Sequence, residues 1–172
     1  MLPEKLKRAL KKDIRASEHP REKAVDVMYA VQRHYGYLSD EGLAESARLL
    51  AMTELELEEL ATFYDFIYRR PVGKFVLHVC DGVVCWMCHE GWSCIGEEES
   101  ILTYLCARLG VEVGETTADG LFTVLPSACL GYCEYAPAML VNGKPHGPLT
   151  PESMDQILEK LKNQSDELVI DR

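Results

Sequence analysis

Phe75-Val76-Leu77-His78-Val79-Cys80-Asp81-Gly82-Val83-Val84-Cys85-Trp86 is the stretch on which the fold turns. Its first half is a short apolar, β-branched run, which reads as a strand. Pro71-Val72-Gly73 just before it breaks the helical pattern upstream. Beyond the cysteines a loop leads to a helix expected from about Glu97 to Leu109. That helix carries Ile101, Leu102, Leu105, Cys106 and Leu109 on its apolar face and stops at Gly110. Glu97, Glu98 and Glu99 suit its positive N-terminal end. Asp119-Gly120 turns the chain into a second strand over 121–125. A third is expected over 138–141, followed by the hairpin signal Asn142-Gly143. Thr150-Pro151 opens a last helix through Met154, Ile157, Leu158 and Leu161.

The order β-α-β-β-α over residues 74–162 is the pattern of a thioredoxin-like domain, a central sheet with helices packed on it. Residues 1–70 read as helices only. Leu2, Leu6, Leu10 and Ile14 mark a first helix, with Pro3 near its opening turn. Val25, Met28, Val31 and Tyr35 mark a second that ends at Gly36. The third has Ser39 as N-cap and Leu43, Ala47 and Leu50 inward; the fourth opens with the capping box Thr53 to Glu56 and runs through Leu57, Leu60, Ala61 and Tyr64. The fold class is therefore α/β: an N-terminal helical bundle (1–70), a thioredoxin-like domain (74–162) and an acidic tail (163–172) expected to fray.

Charge narrows the partners. The chain has 172 residues and a formal charge of −10. Nearly all of the excess lies in the second half, where residues 74–172 hold six basic and fifteen acidic side chains. That balance argues against nucleic acid. No apolar run approaches the ~20 residues needed to span a bilayer, and neither a signal-peptide core nor an Arg/Ser-rich transit segment is read at the N-terminus. A cytoplasmic setting is expected. There, seven cysteines are metal ligands or buried thiols rather than disulfides.

Four of those cysteines form two close pairs, Cys80/Cys85 and Cys129/Cys133, each at the end of a strand-like segment. A [2Fe-2S] cluster needs two thiolates on each of two irons, which two such pairs supply. Gly131 between the second pair lets backbone approach closely. Spacing alone leaves buried thiols open as the plainer reading.

The chain also resembles a known family. AVQRHYGYLSDEGL (30–43), ATFYDF (61–66), PVGK (71–74), HVCDGVVCW (78–86), LGVEVGETTADGLFTVLPSACLGYCEYAPAMLVNG (109–143) and LTPESMDQIL (149–158) are similar to the 24 kDa, or E-type, subunit family of NADH–quinone oxidoreductase, respiratory complex I. The resemblance implies a thioredoxin-like ferredoxin with one [2Fe-2S] cluster on Cys80, Cys85, Cys129 and Cys133, behind a helical domain. It implies a flavin-bearing, NADH-oxidising partner subunit, with FMN and NADH bound there, among the other subunits of the complex's peripheral arm. The chain itself would be cytoplasmic, held at the inner membrane through the complex and not inserted in it. No Gly-rich dinucleotide fingerprint is present on this chain. Related subunits serve NAD-linked hydrogenases and formate dehydrogenases, which stay open as hosts. Acidic surroundings disfavour an added electron, so the centre is expected to have a low potential.

The segment 87–95 departs from the family pattern, adding Cys88, His89, Trp92 and Cys94. Cys88 or Cys94 therefore stays open as a substitute ligand near Cys85, a contact to a neighbouring subunit or an oxidation-responsive thiol. Cys85-Trp86-Met87-Cys88 reads as C-x-x-C, so a metal-free thiol–disulfide oxidoreductase is the rival from another class, with Ala136-Pro137 as its strand-preceding proline. It leaves Cys80, Cys129 and Cys133 unused. A zinc site from Cys85, Cys88, His89 and Cys94 would crowd all its ligands into ten residues. Cys106 reads as a core thiol, His78 as a half-buried strand residue, and Trp86 and Tyr132 as shields beside the cysteines. His34 and His146, near turns or helix ends, suggest nothing specific.

Overall fold

A computed structural model describes residues 2–88 and 100–170, with side chains through Ser165. Two units divide after Pro71. The first contains helices α1 (Glu4–Arg15), α2 (Ala24–Tyr35), α3 (Asp40–Leu50) and α4 (Glu54–Phe63), with a 3-10 turn over Pro20–Lys23. Its helix ends are set locally. Ser39 Oγ accepts the Gly42 N–H at the start of α3. Thr53 and Glu56 exchange both bonds of a capping box at α4, worth about 1 kcal/mol at such a terminus. The core gathers Leu10, Ile14, Val27, Met28, Val31, Leu43, Ala47, Leu50 and Leu57.

On α2 the buried stripe differs from the expected one: Val27 and Gln32 are buried, while Val25 is half-buried and Tyr35 is exposed. Gln32 is inside because its amide has work there. It donates to the Phe66 carbonyl at 2.8 Å and accepts the Tyr68 N–H at 2.6 Å, fastening the segment after α4. A buried amide with both ends paired is cheaper than periodicity alone suggests.

The second unit holds a four-stranded sheet in the order β2-β1-β3-β4, built from β1 (Phe75–Cys80), β2 (Phe122–Ser127), β3 (Met139–Val141) and β4 (Lys144–His146). β1 runs parallel to β2 and antiparallel to β3. The β1–β2 crossover carries α5 (Val83–Met87) and α6 (Ile101–Leu109), and α7 (Pro151–Ile170) closes the chain. Phe75, Leu77 and Val79 share one core with Ile101 and Leu105 of α6 and with Met154 and Leu158 of α7.

Asn142 and Gly143, both at positive φ, make the β3–β4 turn. The Asn142 amide also accepts the Val76 N–H at 2.8 Å and donates to the Lys74 carbonyl at 2.9 Å, locking the start of β1.

Several expectations are corrected. The segment around Cys85 is a helical turn, not a loop. α6 begins at Ile101, capped by Ser100, and Glu97–Glu99 lie outside the described residues, as do His89, Trp92 and Cys94. β4 is a fourth strand that the hairpin signal alone did not include. α7 continues to Ile170, past 162, since the polar run after Leu161 contains no proline or glycine to stop it. His78 is fully buried rather than half-buried, because β1 is central and buried along its whole length.

Candidate metal centre

The register of two parallel strands creates the site. Cys80 is the last residue of β1 and lies opposite Ser127, the last residue of β2, so both cysteine loops leave the same end of neighbouring strands. That end is well tied. The Cys80 N–H donates to the Ala138 carbonyl at 3.1 Å, and the Asp81 N–H donates to the Ser127 carbonyl at 2.8 Å. Cys129 then follows β2 by two residues, and Cys133 opens a single 3-10 turn, Cys133–Tyr135.

The four thiols act on one another. Burial disfavours the Cys80 thiolate, but the N–H groups of Leu130 and Gly82 and the thiols of Cys85 and Cys129 outweigh it and lower its pKa. Burial pushes the Cys85 thiol up to about 12, and its neighbour Cys80 adds to the rise, against an N–H from Ala138. Cys133 is raised by desolvation and then by Cys129 and Cys80. The Gly131 N–H donates to Cys129 Sγ at 3.4 Å. Backbone donors thus favour the anionic form of Cys80, while burial and neighbouring thiols disfavour that of Cys85 and Cys133.

Gly82 is the residue that sequence reasoning missed. A Cβ there would stand 3.2 Å from the Ala128 carbonyl oxygen, 3.4 Å from Cys80 Sγ and 3.6 Å from Cys129 Cβ. It is where one cysteine loop packs on the other. The signal was a glycine inside Cys80-x4-Cys85, but nothing local says what its missing side chain makes room for.

The residues fit a two-iron cluster better than a single ion. The two cysteine loops meet across Gly82, and Cys80, Cys85, Cys129 and Cys133 on them would supply the two thiols that each of two irons requires. The dithiol rival fares worse. Cys85, the first cysteine of its C-x-x-C, is buried with a raised pKa, the reverse of an exposed nucleophilic thiolate. The Ala136-Pro137 bond is cis. Tyr132 packs against the Cys80/Cys85 cluster and stacks on Tyr135 with ring centroids 4.7 Å apart. Trp86 is 61% exposed on α5, while Cys85 on the same turn is buried, and Trp86 lines a small cavity with Cys80 and Asp81. Cys88, at the end of α5, is exposed. Half-buried Cys106 packs against the sheet core, where burial raises its thiol pKa.

Comparison with known proteins agrees with this geometry. The sequence profile of the thioredoxin-like [2Fe-2S] ferredoxin family matches residues 10–162. The chain belongs to that family. The E-type subunit of NADH-quinone oxidoreductase from Pseudomonas aeruginosa is 33% identical over 159 residues, 92% of this chain and 91% of that protein. Its counterpart of the same name in Escherichia coli K12 is 34% identical over 154 residues, covering 90% and 88% of the two chains. Among solved structures, an NAD+-reducing [NiFe]-hydrogenase in the air-oxidised state superposes with a TM-score of 0.63 at 29% identity. That match covers 80% of this chain but only 23% of the hydrogenase chain, so the ferredoxin fold appears there as a small part of a longer polypeptide. As in other proteins of this family, an iron–sulfur group and electron transfer go with the fold. No helix among the described residues is long and apolar enough to cross a membrane.

Proposed function

We propose that this thioredoxin-like ferredoxin holds one [2Fe-2S] cluster on Cys80, Cys85, Cys129 and Cys133 and exchanges electrons with the flavin of an NADH-oxidising partner subunit. The observation that carries this reading is the shared exit of both cysteine loops from the paired ends of β1 and β2. In this reading the chain sits in the peripheral arm of an NADH-quinone oxidoreductase, on the cytoplasmic side of the inner membrane, with FMN and NADH bound by the partner.

When bound, the cluster takes up and returns one electron at a time. The chain's own residues set the conditions. N–H groups of Gly82, Leu130 and Ala138 point at the sulfurs of Cys80 and Cys85, and Gly131 points at Cys129, so backbone dipoles hold anionic sulfur in place. Asp81 and Glu134 stand next in sequence to Cys80 and Cys133 and add negative charge. The domain's acidic excess acts in the same direction, towards a low potential.

The test is reconstitution under anaerobic conditions, with iron and acid-labile sulfide measured and the EPR spectrum recorded after dithionite. One two-iron centre is expected, reduced by dithionite and not by ascorbate. A colourless chain with a reversible disulfide between Cys85 and Cys88 sinks the proposal. A second reading, the equivalent subunit of an NAD-linked hydrogenase, is favoured by the hydrogenase superposition. Hydrogen uptake by the purified complex, in place of quinone reduction, would select it.

A further inference from the structure

A cavity at the other end of the sheet plays no part in the reading above. Cys80 closes β1 and Phe75 opens it, so the two ends stand about 16 Å apart at roughly 3.3 Å per residue. Phe75, Ile157 and Leu161 form the apolar wall of this cavity, which has a volume of about 340 Å³ and lies between the β3–β4 hairpin and α7. Lys144, His146 and Lys160 stand on its rim.

The rim runs against the charge of its domain. Elsewhere the domain's cations are answered by its many carboxylates: Arg108 pairs with Asp155 at 2.8 Å and Lys162 with Glu159 at 3.8 Å. Among the described residues, Lys144 and Lys160 have no carboxylate within 4 Å. For Lys160 the sequence shows why. Its helix neighbours three and four positions away are Gln156, Ile157, Asn163 and Gln164, none of them acidic. Lys74 adds a third ammonium on this side, 5.6 Å over the Phe75 ring, with its Nζ donating to Ser165 Oγ. His146 feels the result: burial lowers its pKa, and Lys160 and Lys144 lower it further.

β4 is the sheet edge, and Pro145 at its centre removes a backbone donor there. A further strand is therefore disfavoured, and the groove stays open to side chains. We propose that this groove receives an acidic segment of a partner protein, with one apolar side chain against Phe75, Ile157 and Leu161 and its neighbouring carboxylates on Lys144 and Lys160. Cations beside an apolar wall match a carboxylate next to a Leu or Phe; a free phosphate or small carboxylate would leave the wall uncovered. The inference rests on the chain being a subunit of a larger complex.

The experiment uses the complex purified through this chain, with the isolated chain as reference. Acetic anhydride is expected to label Lys144 and Lys160 about tenfold more slowly in the complex. A carbodiimide, which condenses an amine with a carboxylate, is expected to join one of them to an Asp or Glu of another chain. Equal labelling in an intact complex overturns this inference and leaves the cluster reading standing. Protection without a cross-link to another chain overturns it too, whether a small anion is released on denaturation or the links fall within this chain. A wild-type chain that purifies alone overturns this inference and the partner subunit of the proposed function, while its iron and sulfide content decides the cluster separately. The Lys144→Glu, Lys160→Glu double variant is expected to be retained roughly tenfold less well in the complex, with iron and sulfide unchanged. If that variant misfolds, Lys144→Gln with Lys160→Gln replaces it, and undiminished retention counts against the groove.

Discussion

Cys80 and Cys85 are interior residues, 7% and 2% exposed, whereas Cys129 and Cys133 face outward. Both loops start from the same end of paired strands, so strand position does not explain the contrast. The backbone beyond each strand does. After Cys80 the chain winds into α5 and turns Cys85 inward, where it packs with Cys80 and Ala138. After Ser127 it runs as irregular backbone until a single 3-10 turn at Cys133. One side of the candidate site is thus part of the hydrophobic interior, and the other is a surface loop. The first is part of the packed interior; the second is held by Leu130, Tyr132 and Ala136 packed against that interior and by a few backbone bonds.

Serine at each position probes this contrast with the largest effect. Any of the four Cys→Ser changes is expected to abolish the cluster, read as iron, sulfide and the EPR signal, while Cys88→Ser and Cys106→Ser keep it. In the metal-free chain the four should part company. Cys80→Ser and Cys85→Ser bury a hydroxyl and should cost about 1–3 kcal/mol in denaturant unfolding, whereas Cys129→Ser and Cys133→Ser should stay within about 0.5 kcal/mol. Equal costs at all four would erase the distinction.

Acid is the next lever. The Cys85 thiol is raised by burial from 9.0 to about 12, so iron must displace its proton. Protons are released on loading, and loading therefore weakens as pH falls, up to about tenfold per unit for each proton displaced. The metal-free chain has the opposite slope. A raised folded-state pKa favours the protonated native form, so its stability is complete below 9.0 and declines as pH climbs towards about 12. Iron titrations from pH 6.5 to 8.5 check the first sign and alkaline unfolding the second; pH-independent loading would contradict a protonated Cys85.

Glycine substitutions separate the loops by mechanism. Gly82→Ala forces a Cβ against the Ala128 carbonyl and Cys80 Sγ and is expected to cost about 1–2 kcal/mol while loosening both loops. Gly131→Ala meets nothing within 4 Å, but its φ of +71° makes a side chain cost about 1 kcal/mol and disturbs the exposed loop alone. Cluster content in the two variants shows whether the shared contact or the outer loop limits assembly. Trp86→Ala is the smallest change: an exposed ring on α5, its loss should move stability by less than about 0.5 kcal/mol and leave the EPR signal intact.

Much of this was legible before the structure because it depends on groups a few residues apart. The caps at Ser39 and at Thr53–Glu56, the stops at Gly36 and Gly110 and the Asn142-Gly143 turn all stand where the sequence places them. Periodicity misled where a distant partner intervened. Gln32 is interior because it binds Phe66 and Tyr68, and His78 is interior because β1 has neighbours on both sides. α5 escaped notice because five residues are too few to show a helical period.

The sequence by itself determined the four cysteines, their spacing, the order of strands and helices around them and the acidic excess of their domain. Only the tertiary structure decided that Cys80 lies opposite Ser127, that Gly82 fills the gap between the loops, that one thiol pair is buried and the other is not, and that Lys144 and Lys160 meet at one groove. The reason is range: spacing and capping act along a few residues of chain, while register and burial depend on segments that meet only when the sheet has formed.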